Sequence, residues 1–219
     1  VHNNSNDGIH LETSSDEHNV TGNNASTNTN YGIWMRISDN NVVEDNICND
    51  NTYGILTTHG SIGNYLINNS CKDNSNSGIL IDHSTSENNT YVNNHLTGNT
   101  VKAIKHDNLG PGNILIYNNS FGEIKWNQSD NLTFVNNLDF GSNLNITNNN
   151  IYFNTSAEVN YNRSANLTFF GISGNAVARP FRNGAACSDT ICTGFTNTSN
   201  TYYFDVSQFT NYSVGNNTA

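Results

Sequence analysis

Apolar residues in this chain fall in short alternating runs, not in helical stripes. Ile9/Leu11, Ile33/Met35 and Ile79/Ile81 each skip one residue, the period of a strand with one face turned inward. The runs also recur. Asn6-Asp7-Gly8-Ile9-His10-Leu11 is followed by Asn30-Tyr31-Gly32-Ile33-Trp34-Met35, Thr52-Tyr53-Gly54-Ile55-Leu56-Thr57 and Asn76-Ser77-Gly78-Ile79-Leu80-Ile81. Weaker copies stand at Lys102-Ala103-Ile104 and Glu123-Ile124-Lys125-Trp126. The isoleucines fall at 9, 33, 55, 79, 104 and 124, so the steps are 24, 22, 24, 25 and 20 residues. A period in this range marks a solenoid, propeller or array.

A second apolar run trails each Gly-Ile, at Val20, Val42-Val43, Tyr65-Leu66-Ile67, Tyr91-Val92 and Ile114-Leu115-Ile116-Tyr117. Asn-rich corners follow it at Asn68-Asn69, Asn93-Asn94 and Asn118-Asn119. Short strands joined by Asn, Gly and Asp corners describe one coil of a right-handed parallel β-helix. Asn suits such corners because it tolerates a left-handed backbone and bonds its own chain locally. Coils stacked at about 4.8 Å set equivalent residues above one another. The expectation is an isoleucine ladder inside and asparagine ladders at the turns.

Beyond about residue 127 the period blurs. Short strands are expected at Leu132-Val135, Leu144-Thr147, Ile151-Phe153 and Leu167-Phe170, and a last one over Tyr202–Thr210. An open solenoid end leaves strand edges and core uncovered, so a cap is expected. The chain therefore reads as all-β, with coils over 1–129 and terminal strands plus a β-rich C-terminal cap over 130–219.

Composition fits this reading. Asn supplies 47 of the 219 residues and charged residues only 12%. That polarity would suit a disordered chain, but aromatic residues at 10% and the long apolar period argue for a fold. A net charge of −10 repels phosphate backbones, which excludes nucleic acid as a partner. No apolar run is long enough to insert in a membrane. Val1 lies inside a copy of the repeat, as expected of a trimmed piece of an exported protein.

The Asn-x-x-x-Gly-Ile coils over residues 1–126 resemble the right-handed β-helix repeats of the NosD-like and carbohydrate-binding/sugar-hydrolase superfamily. Asn166-Leu167-Thr168-Phe169-Phe170-Gly171, Arg182-Asn183-Gly184 with Cys187 and Cys192, and the Phe204–Gly215 stretch look like the ends of β-helix regions in archaeal secreted proteins. The resemblance implies an extracellular, cell-surface address and fixes no activity.

Cys187 and Cys192 enclose four residues and are expected to form a disulfide across a turn. Cys48 and Cys71 lie 23 residues apart in matching contexts, about one coil. Stacking brings their Cα atoms within disulfide range, with two buried thiols as the alternative. Fifteen Asn-x-Ser/Thr sequons are present. Asn88, Asn118 and Asn197 are the first candidates for N-glycans, then Asn68, Asn131, Asn145, Asn154, Asn166 and Asn211.

Catalytic signals are sparse. Polysaccharide cleavage needs clustered carboxylates, or Ca²⁺ with a base, whereas Asp16, Asp39, Asp45, Asp50, Asp73 and Asp82 stand singly. His59 and His83, each five residues after a repeat glycine and with Asp82 beside the latter, could ligate a metal or simply be corner residues of a ladder. No cofactor is expected, Ca²⁺ at the matching turns of Asp50 and Asp73 being the alternative. Position +2 after the repeat glycine points outward and carries His10, Trp34, Leu56 and Leu80. Trp34 is the candidate contact for a sugar or another subunit. The leading expectation is a self-assembling filament, sheath or surface-layer subunit. A carbohydrate-binding or carbohydrate-processing module is the alternative.

Overall fold

A computed structural model of the chain describes residues 1–107, 111–127, 138, 140–141, 143–155, 164–173 and 178–216. All of its regular elements are strands, numbered below in chain order. They pack as two units, Val1–Leu115 with Gln128–Asp139, and Ile116–Asn127 with Phe140–Ala219. The expected boundary at 129/130 and the expected strand Leu132-Val135 lie outside the described residues.

The first unit is the right-handed parallel β-helix. One sheet stacks β1 (Ile9–Glu12), β3 (Tyr31–Arg36), β5 (Tyr53–Thr58), β7 (Ser77–Ile81) and β9 (Lys102–His106) in parallel. The other stacks β2 (Asn19–Thr21), β4 (Val42–Glu44), β6 (Tyr65–Ile67) and β8 (Thr90–Val92), followed by the first residues of β10 (Ile114–Asn119). Register follows the repeat: Ile9, Ile33, Ile55, Ile79 and Ile104 pair in turn. Val20, Val43, Leu66 and Tyr91 form the facing column. All nine are inward, and all but Ile9 are buried. The Tyr91 hydroxyl meets Thr57 Oγ1 at 3.3 Å inside the coil.

Corners are built from two residues with separate tasks. A left-handed residue turns the chain, and the next residue, an Asn, points inward and is buried, except Asn99, which is half-buried. Asp45, Asn68 and Asn93 turn the chain before Asn46, Asn69 and Asn94. Thr27, Asp50, Asp73 and Gly98 do so before Asn28, Asn51, Asn74 and Asn99. Asn40, Gly63, Asn88 and Gly112 precede Asn41, Asn64, Asn89 and Asn113. Within a ladder the Asn Oδ1 accepts from the backbone N–H of the equivalent residue one coil earlier, as Asn69 does from Asn46 at 3.0 Å and Asn41 from His18 at 2.8 Å. Asn69 Nδ2 donates to Val43 O at 2.8 Å and to Asn94 Oδ1 at 3.0 Å.

The repeat glycines have a packing reason. A Cβ on Gly32 would stand 2.8 Å from Cys48 Cβ, and one on Gly54 would stand 2.6 Å from Cys71 Cβ. Ala25, Cys48 and Cys71 thus form a column of small residues against which only glycine fits.

The sixth isoleucine departs from the expectation. Ile124 lies in β11 (Gly122–Asn127), which follows β10 after a tight turn and pairs antiparallel with β14 (Ala165–Phe169), opposite Leu167. The turn at Ser120-Phe121 reverses the chain before it can circle a coil. The second unit contains that strand, β12 (Leu144–Thr147), β13 (Asn150–Phe153), β15 (Ala178–Arg182), β16 (Ala185–Ala186), β17 (Cys192–Thr198), β18 (Thr201–Val206) and β19 (Asn211–Asn216). Its antiparallel sheets run β11-β14-β18-β17 and β12-β13-β19-β15-β16. The expected strand over 202–210 ends at Val206, where the chain turns, and β19 begins only at Asn211. Phe209 then packs its ring 5.3 Å from Trp126 and 5.6 Å from Phe153.

Candidate functional site

Both sulfur pairs are inward, with different outcomes. Cys187 and Cys192 form a disulfide in the second unit. Cys48 and Cys71 are buried free thiols, which corrects the expected bridge. Adjacent parallel coils hold their Cα–Cβ bonds side by side at the strand spacing of about 4.8 Å, whereas a disulfide needs Cβ atoms about 3.8 Å apart. Burial pushes the Cys71 thiol well up in pKa, and its hydrogen bond with Cys48 adds to this.

Outward residues of the first sheet make an aromatic group. His10 stacks on Trp34 at 4.0 Å, Tyr31 lies 5.4 Å from Trp34, and Tyr53 lies 5.6 Å from Tyr31. Desolvation raises the Tyr31 hydroxyl, with Tyr53 and Asp7 adding to it. Farther up the same column Leu56 and Leu80 are only 4% and 7% exposed, so the expected open apolar face is covered there. Ion pairs flank it: Arg36 with Glu12 at 2.5 Å and Lys105 with Asp107 at 2.6 Å.

The more open apolar face belongs to the second sheet. Val42 and Tyr65 share one outward column with Thr90 and then Ile114 beyond, and Ile67 and Val92 share the next, beside Glu44. Tyr65 is 50% exposed. This face was not singled out from sequence. Its signal was present in Tyr65-Leu66-Ile67, where apolar residues occupy both faces of a strand instead of one.

Corner side chains account for the remaining candidates. Asp50 and Asp73 both turn the chain with positive φ, and no group of three or more His, Cys, Asp or Glu is gathered among the described residues. His59 and His83 stack across adjacent coils with ring centroids 4.8 Å apart. Their Nδ1 atoms bond Thr58 Oγ1 at 2.7 Å and Thr85 Oγ1 at 2.8 Å.

Of the nine candidate sequons, Asn68, Asn88, Asn145 and Asn197 are exposed. Asn118, Asn154, Asn166 and Asn211 are half-buried, and the Asn166 amide donates to Asp205. Asn131 lies outside the described residues.

A family model described as periplasmic copper-binding protein (NosD) matches residues 1–134. Comparison with the curated proteins and with the solved structures finds no match.

Proposed function

The chain belongs to the NosD family of β-helix proteins, and from that premise we propose that it is a structural protein of the cell exterior, a self-assembling filament, sheath or surface-layer subunit carrying N-glycans. The observation that carries this reading is the outward face of the second sheet, with Val42, Tyr65, Ile67, Val92 and Ile114 around a single carboxylate, Glu44. An apolar stripe of this kind on a soluble surface calls for a partner. In a chain of net charge −10, the stripe with one charge is where two copies meet with least repulsion. Asn68, Asn88, Asn145 and Asn197 are accessible for glycans.

Electron microscopy of the native material, with intact-mass spectrometry on the same sample, tests this reading. Filaments or lattices with added glycan mass are expected, and Tyr65→Lys with Ile67→Asp is expected to disperse them. Dispersed, unmodified monomers in the native sample would sink the proposal. A second reading, a carbohydrate-binding module, draws on the His10–Trp34–Tyr31–Tyr53 aromatic group, whose rings suit stacking on a sugar. Binding to a polysaccharide panel that is lost in Trp34→Ala would favour it.

Copper, named in the family description, does not fit the thiol pair. Cys48 and Cys71 are fully buried, and burial holds the Cys71 thiol protonated, whereas copper takes thiolate from an accessible site.

A further inference from the structure

One row across the sheet β11-β14-β18 carries three groups that can react with one another. Lys125 in β11 stands opposite Asn166 in β14, and Asn166 stands opposite Asp205 in β18. Residues directly opposite in antiparallel strands share a face, with Cβ atoms about 4.5–5.5 Å apart. The neighbouring row, Ile124, Leu167 and Phe204, is buried, so this one faces outward. Lysines also occur in β9, at Lys102 and Lys105, but their neighbours in register are Ser77 and Leu80. Among the described strands only the Lys125 row sets an amine, a carboxamide and a carboxylate side by side.

Two of the three are already engaged. Asn166 Nδ2 donates to Asp205 Oδ1, which orients the amide and puts a carboxylate at its nitrogen. That nitrogen is the leaving group when an amine attacks Cγ. Attack needs a base for the ammonium proton and an acid for the departing nitrogen, and one carboxyl serves as both. The sheet supplies the remaining requirement. Well-aligned reactants held in adjacent strands react as if at an effective concentration of about 10⁵ M or more. A concavity lined by Ser164, Ala165, Asn166 and Asp205 opens beside the pair and gives the leaving group a way out.

We propose that Lys125 and Asn166 join in an intramolecular isopeptide bond, with Asp205 as the proton carrier. Asp205 takes a proton from the Lys125 ammonium, and the freed amine adds to Asn166 Cγ. The adding nitrogen passes a second proton to the leaving one, and the Cγ–Nδ2 bond breaks. Ammonium departs with the proton that Asp205 held, so the carboxylate is regenerated. One amide replaces another, and no oxidant or cofactor is consumed. The bond ties β11 to β14 and removes freedom from the unfolded chain. It also withdraws Asn166 from the sequons open to glycans, because one carboxamide cannot serve both. The assembly reading uses none of these three residues, so the two stand or fall separately.

The test is tandem mass spectrometry on tryptic peptides of the purified, reduced full chain. One branched peptide is expected, joining Lys125 to Asn166 and lighter than its two parts by one ammonia. Trypsin should leave the bond after Lys125 uncut in that species. Lys125→Arg and Asn166→Thr are expected to abolish the branched peptide and restore the lost mass. Asp205→Asn keeps the shape of the side chain and is expected to leave Lys125 and Asn166 unjoined. Circular dichroism on each variant separates a missing bond from a lost fold. Separate, unmodified peptides from the wild type would overturn the proposal, and so would a glycan on Asn166. Loss of ammonia that persists in Lys125→Arg would also overturn it, since ring closure at Asn183-Gly184 loses the same mass without the lysine.

Discussion

A left-handed residue followed by a buried Asn makes the corners of the coils, and this pairing also explains part of the sequon density. Asn68-Asn69-Ser70 and Asn88-Asn89-Thr90 are each a turning Asn, a ladder Asn and a hydroxyl residue entering the next segment. Glycosylation motifs therefore arise from the corner itself, and occupancy has to be measured site by site. The second Asn carries the energy. Asn69 is fully buried and uses both ends of its amide: Oδ1 accepts from Asn46, while Nδ2 donates to Val43 O and Asn94 Oδ1. Asn69→Asp keeps the shape, removes both donors and buries a carboxylate against two oxygens. Urea unfolding is expected to show a loss of about 3 kcal/mol or more at pH 7, reduced in acid where the new carboxyl is protonated. A loss under about 1 kcal/mol would mean that the ladders are ornaments of a fold held by its apolar columns alone.

Strands were legible where the period was regular. The Gly-Ile copies announce β1, β3, β5 and β7, and the trailing runs announce β4, β6 and β8, because burial of one face imposes alternation. Ile124 misled, since a strand of an antiparallel hairpin alternates just as a coil strand does; only the tight turn at Ser120-Phe121 tells them apart. The thiol pair was legible as a stack, with bridge and free thiols both open, because sequence spacing does not fix the direction of the Cα–Cβ bonds. Among the strands β8 carries a further consequence. Tyr91 is fully buried, and desolvation raises its pKa far above the ordinary value of about 10. A raised folded pKa means its contribution is complete below pH about 10 and is lost as pH climbs toward the folded value. The unfolded chain releases that proton first, so stability is expected to fall by about 1.4 kcal/mol per pH unit above pH 10 from this group. Cys71, raised in the same way, starts the decline from about pH 8.5. Unfolding followed between pH 8 and 11 should show the slope, and Tyr91→Phe should flatten its upper part. An unchanged slope in that variant would place the alkaline weakness elsewhere.

Each coil rests only on its neighbours, so stability along the first unit is a sum of coil terms and interface terms. Coils flanked on both sides open last. Among the described strands β1 and β2 have a neighbour on one side alone, whereas β5 and β6 are held on both. Hydrogen exchange on dilute monomer should therefore be slowest over 53–58 and 65–67 and fastest over 9–12 and 19–21. The bonds in both places are of the same kind, so the difference reports coverage and not bond strength. This gradient also gives assembly a readout that does not depend on seeing a filament. If copies meet side by side on the Tyr65 stripe, the strand edge of β1 stays open, and its exchange remains fast as concentration rises. If they meet end to end, β1 and β2 gain a neighbour and slow toward the rates of β5 and β6. The apolar stripe favours the first pattern. Slowing at β1 with no change in the solvent exposure of Tyr65 would move the interface to the open coil and leave the stripe for a different partner.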